Sequence, residues 1–556
     1  MKRTGAQIIT TLLERQGVTS IAGIPGGATL PLYDALIESK INHILTRHEQ
    51  GAGFIAQGQA RITGKAGVCL ATSGPGATNL LTAIADARLD SIPMVAITGQ
   101  VTLPMIGTDA FQEVDTYGLT LPITKHNFLV RSTEELLEVI PEAFSIAESG
   151  RPGPVCVDIP KDVQTAEIEF DAWPEPGQKI PPMQPEPSDI EALAAMLNKA
   201  ERPILYVGGG ITAAHCCSEL QQLARQNNIP VACTLMGLGT IPADDPLFLG
   251  MLGMHGSRST NYALQEADLL LAIGVRFDDR ATGKLEEFCP DAAIAHVDID
   301  RSEIGKLRAT NLSVAADAGL VVRQLLPLTN RANRAEWLQR IAELKAMDPK
   351  MHRHEDTHPL GIIERVSEIM GEGSVITTDV GQHQMWVAQH YPFRKPRTLL
   401  TSGGLGTMGF GLPTAIGAAM ASPGKRVVCF SGDGSILMNI QELATLADLN
   451  LPVTVIIMNN HHLGLVRQQQ ELFYGNRINA SRFETVPDFA ALARTFGVRG
   501  TNLGSETDPK SALADALSGS GPCIVDMPID HVRNVYPMVP PGAANYQTLE
   551  GAAHDY

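Results

Sequence analysis

Arg426-Val-Val-Cys-Phe-Ser-Gly-Asp-Gly-Ser435 reads as a buried strand running straight into a turn. Its four consecutive apolar residues, bounded by polar and glycine positions, fit a strand covered on both faces in a parallel sheet. A helix-like stretch follows, then a second such run, Val453–Met458, and then Asn459-Asn460. A single strand–helix–strand crossover therefore separates Asp433 from Asn460, and crossovers of this kind lay parallel strands side by side. Both side chains arrive at the carboxyl edge of neighbouring strands, where open α/β sheets bind ligands. Gly432 and Gly434 let the backbone approach a phosphate closely. The Asp433 carboxylate and the Asn460 carbonyl are hard oxygen donors suited to octahedral Mg²⁺, with positions left for phosphate oxygens. A tight turn and a polar strand end are the plain reading of either motif alone; the two together point to a phosphate and metal site.

Short apolar runs alternate with helical patterns along the rest of the chain, which predicts an α/β protein of three doubly wound parallel-sheet domains. In the first domain, residues 1–170, the expected strands are Ser20–Pro25, Asn42–Arg47, Ala66–Thr72, Pro93–Gly99 and Pro154–Ile159, after a helix over Ala6–Gln16. A Pro-rich linker spans 171–188, and Ser188 is expected to cap a helix over Asp189–Lys199. The second domain, 189–330, has expected strands from Pro203, at Val231–Leu235, Asp268–Gly274, Ala293–Asp298 and Leu312–Ala316. The linker 331–360 holds a helix around Ala335–Met347 and then His352, His354 and His358, which read as a solvated face because nothing nearby fixes ligand geometry. The third domain, 361–545, repeats the layout with strands at Ser374–Asp379, Thr398–Ser402, Arg426–Ser431, Val453–Met458 and Cys523–Met527. Residues 546–556 form a tail.

The 556 residues carry a formal net charge of −17 and are 44% hydrophobic and 19% charged. That is an ordinary globular balance, and the acidic total speaks against a nucleic-acid or anionic-membrane binder. No apolar run approaches the roughly 18 residues of a membrane span. The start, Met1-Lys2-Arg3-Thr4, leads directly into helical pattern with no signal core, so the expected location is a bacterial-type cytosol. The 8 cysteines form no CxxC and most lie in apolar stretches, as buried reduced thiols do.

Glu49 stands in Thr46-Arg-His-Glu-Gln-Gly-Ala52, after an expected strand and before a helix rich in Ala and Gly. Spacing alone leaves it either a solvated carboxylate at a helix start or a buried proton-trading group. With GDG followed by NN, the chain resembles thiamine-diphosphate-dependent enzymes. The resemblance implies that Asp433, Asn460 and the backbone carbonyl of His462 hold the metal. It also implies that Glu49 exchanges a proton with the cofactor's aminopyrimidine ring, a task that calls for water exclusion and a tuned carboxyl. The two landmarks lie in different domains and, in this family, meet across a subunit interface, so a homodimer is the implied minimum and a tetramer an open possibility.

Further runs, among them Gly23-Ile-Pro-Gly-Gly27, Thr72-Ser-Gly-Pro-Gly76, Ile106-Gly-Thr-Asp-Ala-Phe-Gln-Glu113, Arg276-Phe-Asp-Asp-Arg280, Val380-Gly-Gln-His-Gln384 and Gly406-Thr-Met-Gly409, resemble the acetolactate synthase catalytic-subunit family over nearly the whole chain. By that resemblance Met408 props the cofactor in a bent form. Gly381, Gln382, His383, Gly406, Gly432, Gly434, Ser435, Gly464 and Leu465 complete its binding site. Phe111, Gln112 and Lys161 line the reaction pocket, Gln112 hydrogen-bonding developing oxygen charge. For a lone Lys161, an ion pair is the alternative. The middle domain resembles the family's FAD domain, with Gly208, Gly209, Gly210, Met254, His255, Gly274, Arg276, Asp278, Arg280, Asp298, Asp300 and Asp317 as contacts together with Arg151. Many relatives have Trp where Gln469 stands, a residue associated with preference for 2-oxobutyrate.

The implied activity decarboxylates pyruvate and joins the remaining two-carbon unit to a second 2-oxo acid, on the route to valine, leucine and isoleucine. A small regulatory subunit is the implied partner. A pyruvate oxidase or 2-oxo acid decarboxylase on the same scaffold, and a non-catalytic flavin-binding regulatory protein, are the other readings.

Overall fold

Three six-stranded sheets, each parallel throughout, carry the chain in the computed structural model, which describes residues 1–348 and 358–551. His352, His354 and residues 552–556 lie outside the described residues. His358 is described, and its Nδ1 accepts from the Leu360 backbone N–H to cap the helix Pro359–Met370.

The first sheet runs, in spatial order, Asn42–Leu45, Ser20–Gly23, Gly67–Ala71, Met94–Gln100, Pro154–Pro160 and His126–Leu129. The third runs Leu399–Leu400, Val375–Thr378, Val427–Gly432, Val453–Asn459, Cys523–Pro528 and Arg499–Asn502. Counted in chain order within each sheet, both read 2-1-3-4-6-5. The middle sheet, Phe248–Met251, Val231–Cys233, Pro203–Val207, Leu269–Ile273, Ala293–Asp298 and Leu312–Ala315, reads 3-2-1-4-5-6. That is the strand order of dinucleotide-binding sheets, whose ligands sit where the winding reverses. A short antiparallel ribbon, Lys2–Thr4 with Glu167–Glu169, closes the first unit.

The strands missing from the sequence reading are informative. Each sheet has one unforeseen full strand, His126–Leu129, Phe248–Met251 or Arg499–Asn502, and each is a sheet edge. Their side chains are partly exposed, so they lack the continuous apolar run that marks a central parallel strand. Two boundaries are also corrected. The helix expected from Asp189 begins at Pro187, with Glu186 at its cap position and no side-chain cap; Ser188 sits inside the first turn because Pro187 takes the first helical place. The strand expected to reach Leu235 stops at Cys233, and Leu235–Gly237 forms a 3₁₀ turn.

The first and third units share one core. Ala52, Ile55 and Ala56 of the helix Glu49–Thr63 pack with Leu412, Ala415 and Ile416 of the helix Gly411–Ala421. The backbones nearly touch: a Cβ on Gly58 would lie 2.3 Å from the Thr414 carbonyl oxygen, and one on Gly417 would lie 2.0 Å from that of Ile55. All eight cysteines are free, and seven are buried.

Asp158 interrupts the apolar buried strand Pro154–Pro160. It accepts from Thr98 Oγ1 at 2.6 Å and Gln100 Nε2 at 3.0 Å, yet burial pushes its carboxyl up to about 7. Between about pH 4, where an unfolded Asp releases its proton, and about 7, the folded chain binds a proton that the unfolded chain has lost, so stability falls as pH rises. Asp158→Asn has no such charge to desolvate. Its stability should gain on the parent by up to about 1.4 kcal/mol per pH unit across that window and hold a constant lead above it. Melts of both proteins from pH 4.5 to 8 check this; a lead independent of pH would show that the carboxyl is not held up.

Candidate active site

The third unit builds one half of the site at its switch point, between Val375–Thr378 and Val427–Gly432. Gly432 pairs with Met458 in register, so Asp433 and Asn460 do leave adjacent parallel strands at the same edge. Asp433 opens a short helical turn, and the backbone N–H groups of Gly434 and His461 bond its carboxyl. Its Oδ2 is buried with no partner, and burial, reinforced by the charge of Asp526, pushes the group up to about 7. An orphaned buried carboxylate oxygen is costly unless a positive charge meets it, so the donor chemistry fits a divalent cation.

Asn460 donates from Nδ2 to Gln382 Oε1 at 3.2 Å and accepts at Oδ1 from the His462 backbone N–H at 3.0 Å. The His462 ring turns back, its Nδ1 lying 2.8 Å from the Asn460 carbonyl oxygen. His461 between them has φ of +58°, a left-handed residue that folds the loop over Asp433. Gly464 leaves room for the Asn460–Gln382 pair, since a Cβ there would lie 2.1 Å from Gln382 Oε1 and 2.7 Å from Asn460 Nδ2 and would push both amides aside. Ser435 Oγ donates to the Val380 carbonyl at 2.9 Å. His383, buried against Gly381 and Gly432, is pushed down to about 3 by burial, and its Nε2 has no partner. A neutral imidazole and glycine backbone leave room for a diphosphate without a competing charge. Met408 is half-buried on the loop that carries Gly406, whose φ is +70°.

The first unit builds the other half at its own switch point. Glu49 is the first residue of the helix Glu49–Thr63, capped by His48, whose Nδ1 accepts from the Gln50 N–H at 3.0 Å. The carboxylate is 8% exposed and accepts from Asn79 Nδ2 at 2.9 Å. Together with burial, its charge pushes Tyr33 up. Gln112 has φ of +60°, and its backbone lies against Gly74, which caps the neighbouring helix Pro75–Asp90. The loop before it is gathered by the Glu113 carboxylate, which accepts from the N–H groups of Gly107, Thr108 and Ala110. Phe111 beside it stands 88% exposed within one chain. Lys161 starts the short helix Lys161–Thr165 and makes no ion pair among the described residues. Among those residues no hydrogen bond or ion pair links Glu49 with Asp433, Asn460 or His462; beside Glu49 the two units meet instead through the Arg47 and His48 backbone N–H groups, which donate to the Glu442 carboxylate.

A cavity of about 640 Å³ opens at the middle unit's switch point. Gly209, Gly210, Met254, His255, Gly274, Arg276, Asp278, Arg280, Asp298, Asp317 and Arg151 all line it. Gly208 and Asp300 do not: a Cβ on Gly208 would strike the Gly274 carbonyl oxygen at 2.3 Å, and Asp300 pairs with Arg151 at 3.0 Å. Arg151 also pairs with Glu303 at 2.7 Å, Asp278 caps a helical turn, and Asp317 accepts from the Leu320 N–H. His255 is buried with an unpartnered Nδ1 and is pushed down to about 4, mainly by burial. A long cleft with glycine backbone at one strand end, arginines, and an acidic residue at the end of Ala293–Asp298 fits a dinucleotide. Sequence reasoning missed its other walls, which come from other units: Arg61 and Asp90 from the first, and Gln384, Arg397, Gly406, Leu465 and Gln469 from the third.

Comparison with known proteins agrees with this division. Residues 3–119 match the thiamine pyrophosphate enzyme N-terminal TPP binding domain, 190–325 the central domain and 379–527 the C-terminal TPP binding domain. The chain is 55% identical to the acetolactate synthase isozyme 1 large subunit of Escherichia coli, with 98% of this chain and 97% of that one covered. It is 48% identical to the isozyme 2 large subunit of the same organism, over 98% and 99%. The large subunit of Parasynechococcus marenigrum is also 48% identical, over 99% and 91%. The chain belongs to the acetolactate synthase large-subunit family. Membership favours neither the oxidase and decarboxylase readings nor the non-catalytic one, and it makes the three-sheet architecture that of thiamine pyrophosphate enzymes. No described helix is long and apolar enough to cross a membrane.

Proposed function

We propose that this chain is the catalytic subunit of an acetolactate synthase. It removes CO₂ from pyruvate and joins the remaining two carbons to a second 2-oxo acid. Pyruvate as acceptor gives 2-acetolactate and 2-oxobutyrate gives 2-aceto-2-hydroxybutyrate, precursors of valine, leucine and isoleucine. The observation that carries the reading is near-full-length identity of 55% and 48% to acetolactate synthase large subunits. The retention of Glu49, Asp433 and Asn460 supports it. Bound thiamine diphosphate supplies the nucleophilic carbon and the sink for the charge left by departing CO₂. Asp433, Asn460 and the His462 carbonyl hold Mg²⁺, and His383, Gln382 and the glycines around them receive the diphosphate. Glu49 moves the proton that activates the ring, and Gln112 orients the acceptor. FAD is the proposed occupant of the middle cleft, held by the glycine turn and by Arg276 and Arg280.

A homodimer completes the site in this reading. The segments around the site residues also bear bare apolar side chains: Phe111, Tyr117, Leu119 and Leu121 in the first unit, Leu405, Leu437, Met438 and Val466 in the third. Apolar surface of this kind marks an interface, and a symmetric pair would bring each Glu49 to the other chain's Asp433. The relatives' designation as large subunits supports a small regulatory partner. The proposed location is the cytosol, in keeping with eight free thiols.

One assay tests this: purified protein with pyruvate, with thiamine diphosphate, Mg²⁺ and FAD omitted in turn and the products identified. Acetolactate should form only with the first two present and fade without FAD; acetyl phosphate, acetate or free acetaldehyde as main product would overturn the reading. Adding equal 2-oxobutyrate measures the acceptor choice. Gln469 lines the cavity beside Gly406 and Leu465 and offers no aromatic surface for an extra methyl, which is worth about 1–3 kcal/mol in a pocket. The two products should form in comparable amounts, and strong enrichment of the 2-oxobutyrate product would contradict this.

A further inference from the structure

The loop Ser402–Gly409, which carries Met408, is held by carboxylates from two different units. Asp90, the last residue of the first-unit helix Pro75–Asp90, accepts from the Gly403 N–H at 3.0 Å and the Gly404 N–H at 2.7 Å. Asp86, one turn earlier, accepts from the hydroxyls of Ser402 and Thr407, the latter at 3.1 Å. Ser402 Oγ in turn accepts from the Thr407 N–H at 2.8 Å, so the loop's two ends close on one point. At the far side Asp379 accepts from the Gly409 N–H at 2.8 Å. Met408 thus lies between one residue tied to Asp86 and another tied to Asp379.

Arg61 locks the arrangement. Its Nη2 lies 2.8 Å from Asp90 and 3.4 Å from Asp86, both side chains wholly buried, and its guanidinium sits over the Phe410 ring at 4.9 Å. Arg61 belongs to the same helix that begins at Glu49. A buried cluster of two acids and one arginine is expensive to assemble and contributes little net stability relative to apolar packing, so its retention calls for a positional reason. Burial and the neighbouring Asp90 push Asp86 up to about 6, which leaves it a charged acceptor for both hydroxyls at neutral pH.

We propose that Asp86 and Asp90, with Arg61 between them, are positioning residues that clamp the Met408 loop onto the helix bearing Glu49; because the proposed dimer sets each Glu49 against the other chain's Asp433, this buried joint ties the prop of one active site to the proton-moving group of the other. The proposal rests on the cofactor-propping reading of Met408. It differs from a purely structural role because the contacts go to the loop's hydroxyls and N–H groups rather than to the sheet. Thr407 isolates it: valine keeps the shape and removes the hydroxyl, whereas serine keeps the hydroxyl.

The test follows amide hydrogen exchange in the full chain without cofactors, together with thiamine diphosphate affinity and kcat. In Thr407→Val, exchange in peptides covering 402–410 should rise about tenfold while the rest of the chain is unchanged, since one charge-assisted hydrogen bond is lost. In the same variant kcat should fall about tenfold with thiamine diphosphate affinity within about threefold of the parent, because the diphosphate grip is elsewhere. Thr407→Ser should restore both. Parental exchange in Thr407→Val, loosening spread over the whole chain, or a serine variant as defective as valine would each overturn the clamp. Met408→Ala tests the underlying reading separately: unchanged turnover there removes the prop, while the exchange result continues to report on the joint.

Discussion

Glu49→Gln lowers kcat by about 10²–10⁴-fold, the range that proton transfer by a positioned side chain contributes. The substitution preserves shape, and the amide oxygen still accepts from Asn79, so nothing in the packing changes. What is lost is the proton. A carboxylate can take and return one; an amide cannot. The geometry also supplies the water exclusion that the task needs. Glu49 is nearly buried at a helix start, with Gly76 close enough that a Cβ there would lie 3.4 Å from Oε1. A negative charge at a helix start is worth only about 0.3–1 kcal/mol, so the amide should move the melting temperature by only a few degrees. Steady-state turnover at saturating thiamine diphosphate and Mg²⁺, beside a melt of the cofactor-free protein, checks both halves. Turnover within threefold of the parent would take Glu49 out of the reaction.

How much of this was legible in the chain depends on what each feature is made of. Asp433 and Asn460 could be placed because their positions follow from two central strands, and central strands announce themselves as apolar runs between glycine and polar stops. His126–Leu129 and Arg499–Asn502 could not, because an edge strand with one face in water has a composition no different from a loop. Glu49 was visible as a residue, but its role came from resemblance; the pattern alone fits a capping carboxylate equally well, and it does sit at a helix start. The middle cleft was half legible. Its glycine turn and the Arg276–Arg280 run are local, whereas Arg61, Asp90 and Gln469 reach it from other units and carry no sequence mark of that placement. The buried acids had a faint signal that went unread: Asp86 lies between alanines in an apolar helix, and Asp158 inside Val-Cys-Val-Asp-Ile. A carboxylate in such company is buried, and a buried carboxylate is held by something.

Asp433→Asn separates the cost of the site from its use. In the cofactor-free protein the carboxylate is buried with Oδ2 unpartnered, a burden that an amide of the same size does not carry as charge. The variant without cofactors should therefore melt no lower than the parent at pH 8. With Mg²⁺ and thiamine diphosphate present the sign reverses. Losing a neighbouring group that merely orients a ligand costs about 10–100-fold in metal affinity, and losing the only carboxylate of the proposed set should cost at least that. Binding stabilises as the logarithm of ligand over Kd, so a hundredfold loss removes about 2.7 kcal/mol of the rise that saturating cofactors give the parent. Activity should fall by at least the same hundredfold at fixed cofactor and recover in part at high Mg²⁺, because Asn460 and the His462 carbonyl remain. Melts with and without the two cofactors read all of this in one series. A variant less stable than the parent when bare, yet stabilised normally by the cofactors, would mean that Asp433 holds the turn together and that the cation is gripped elsewhere.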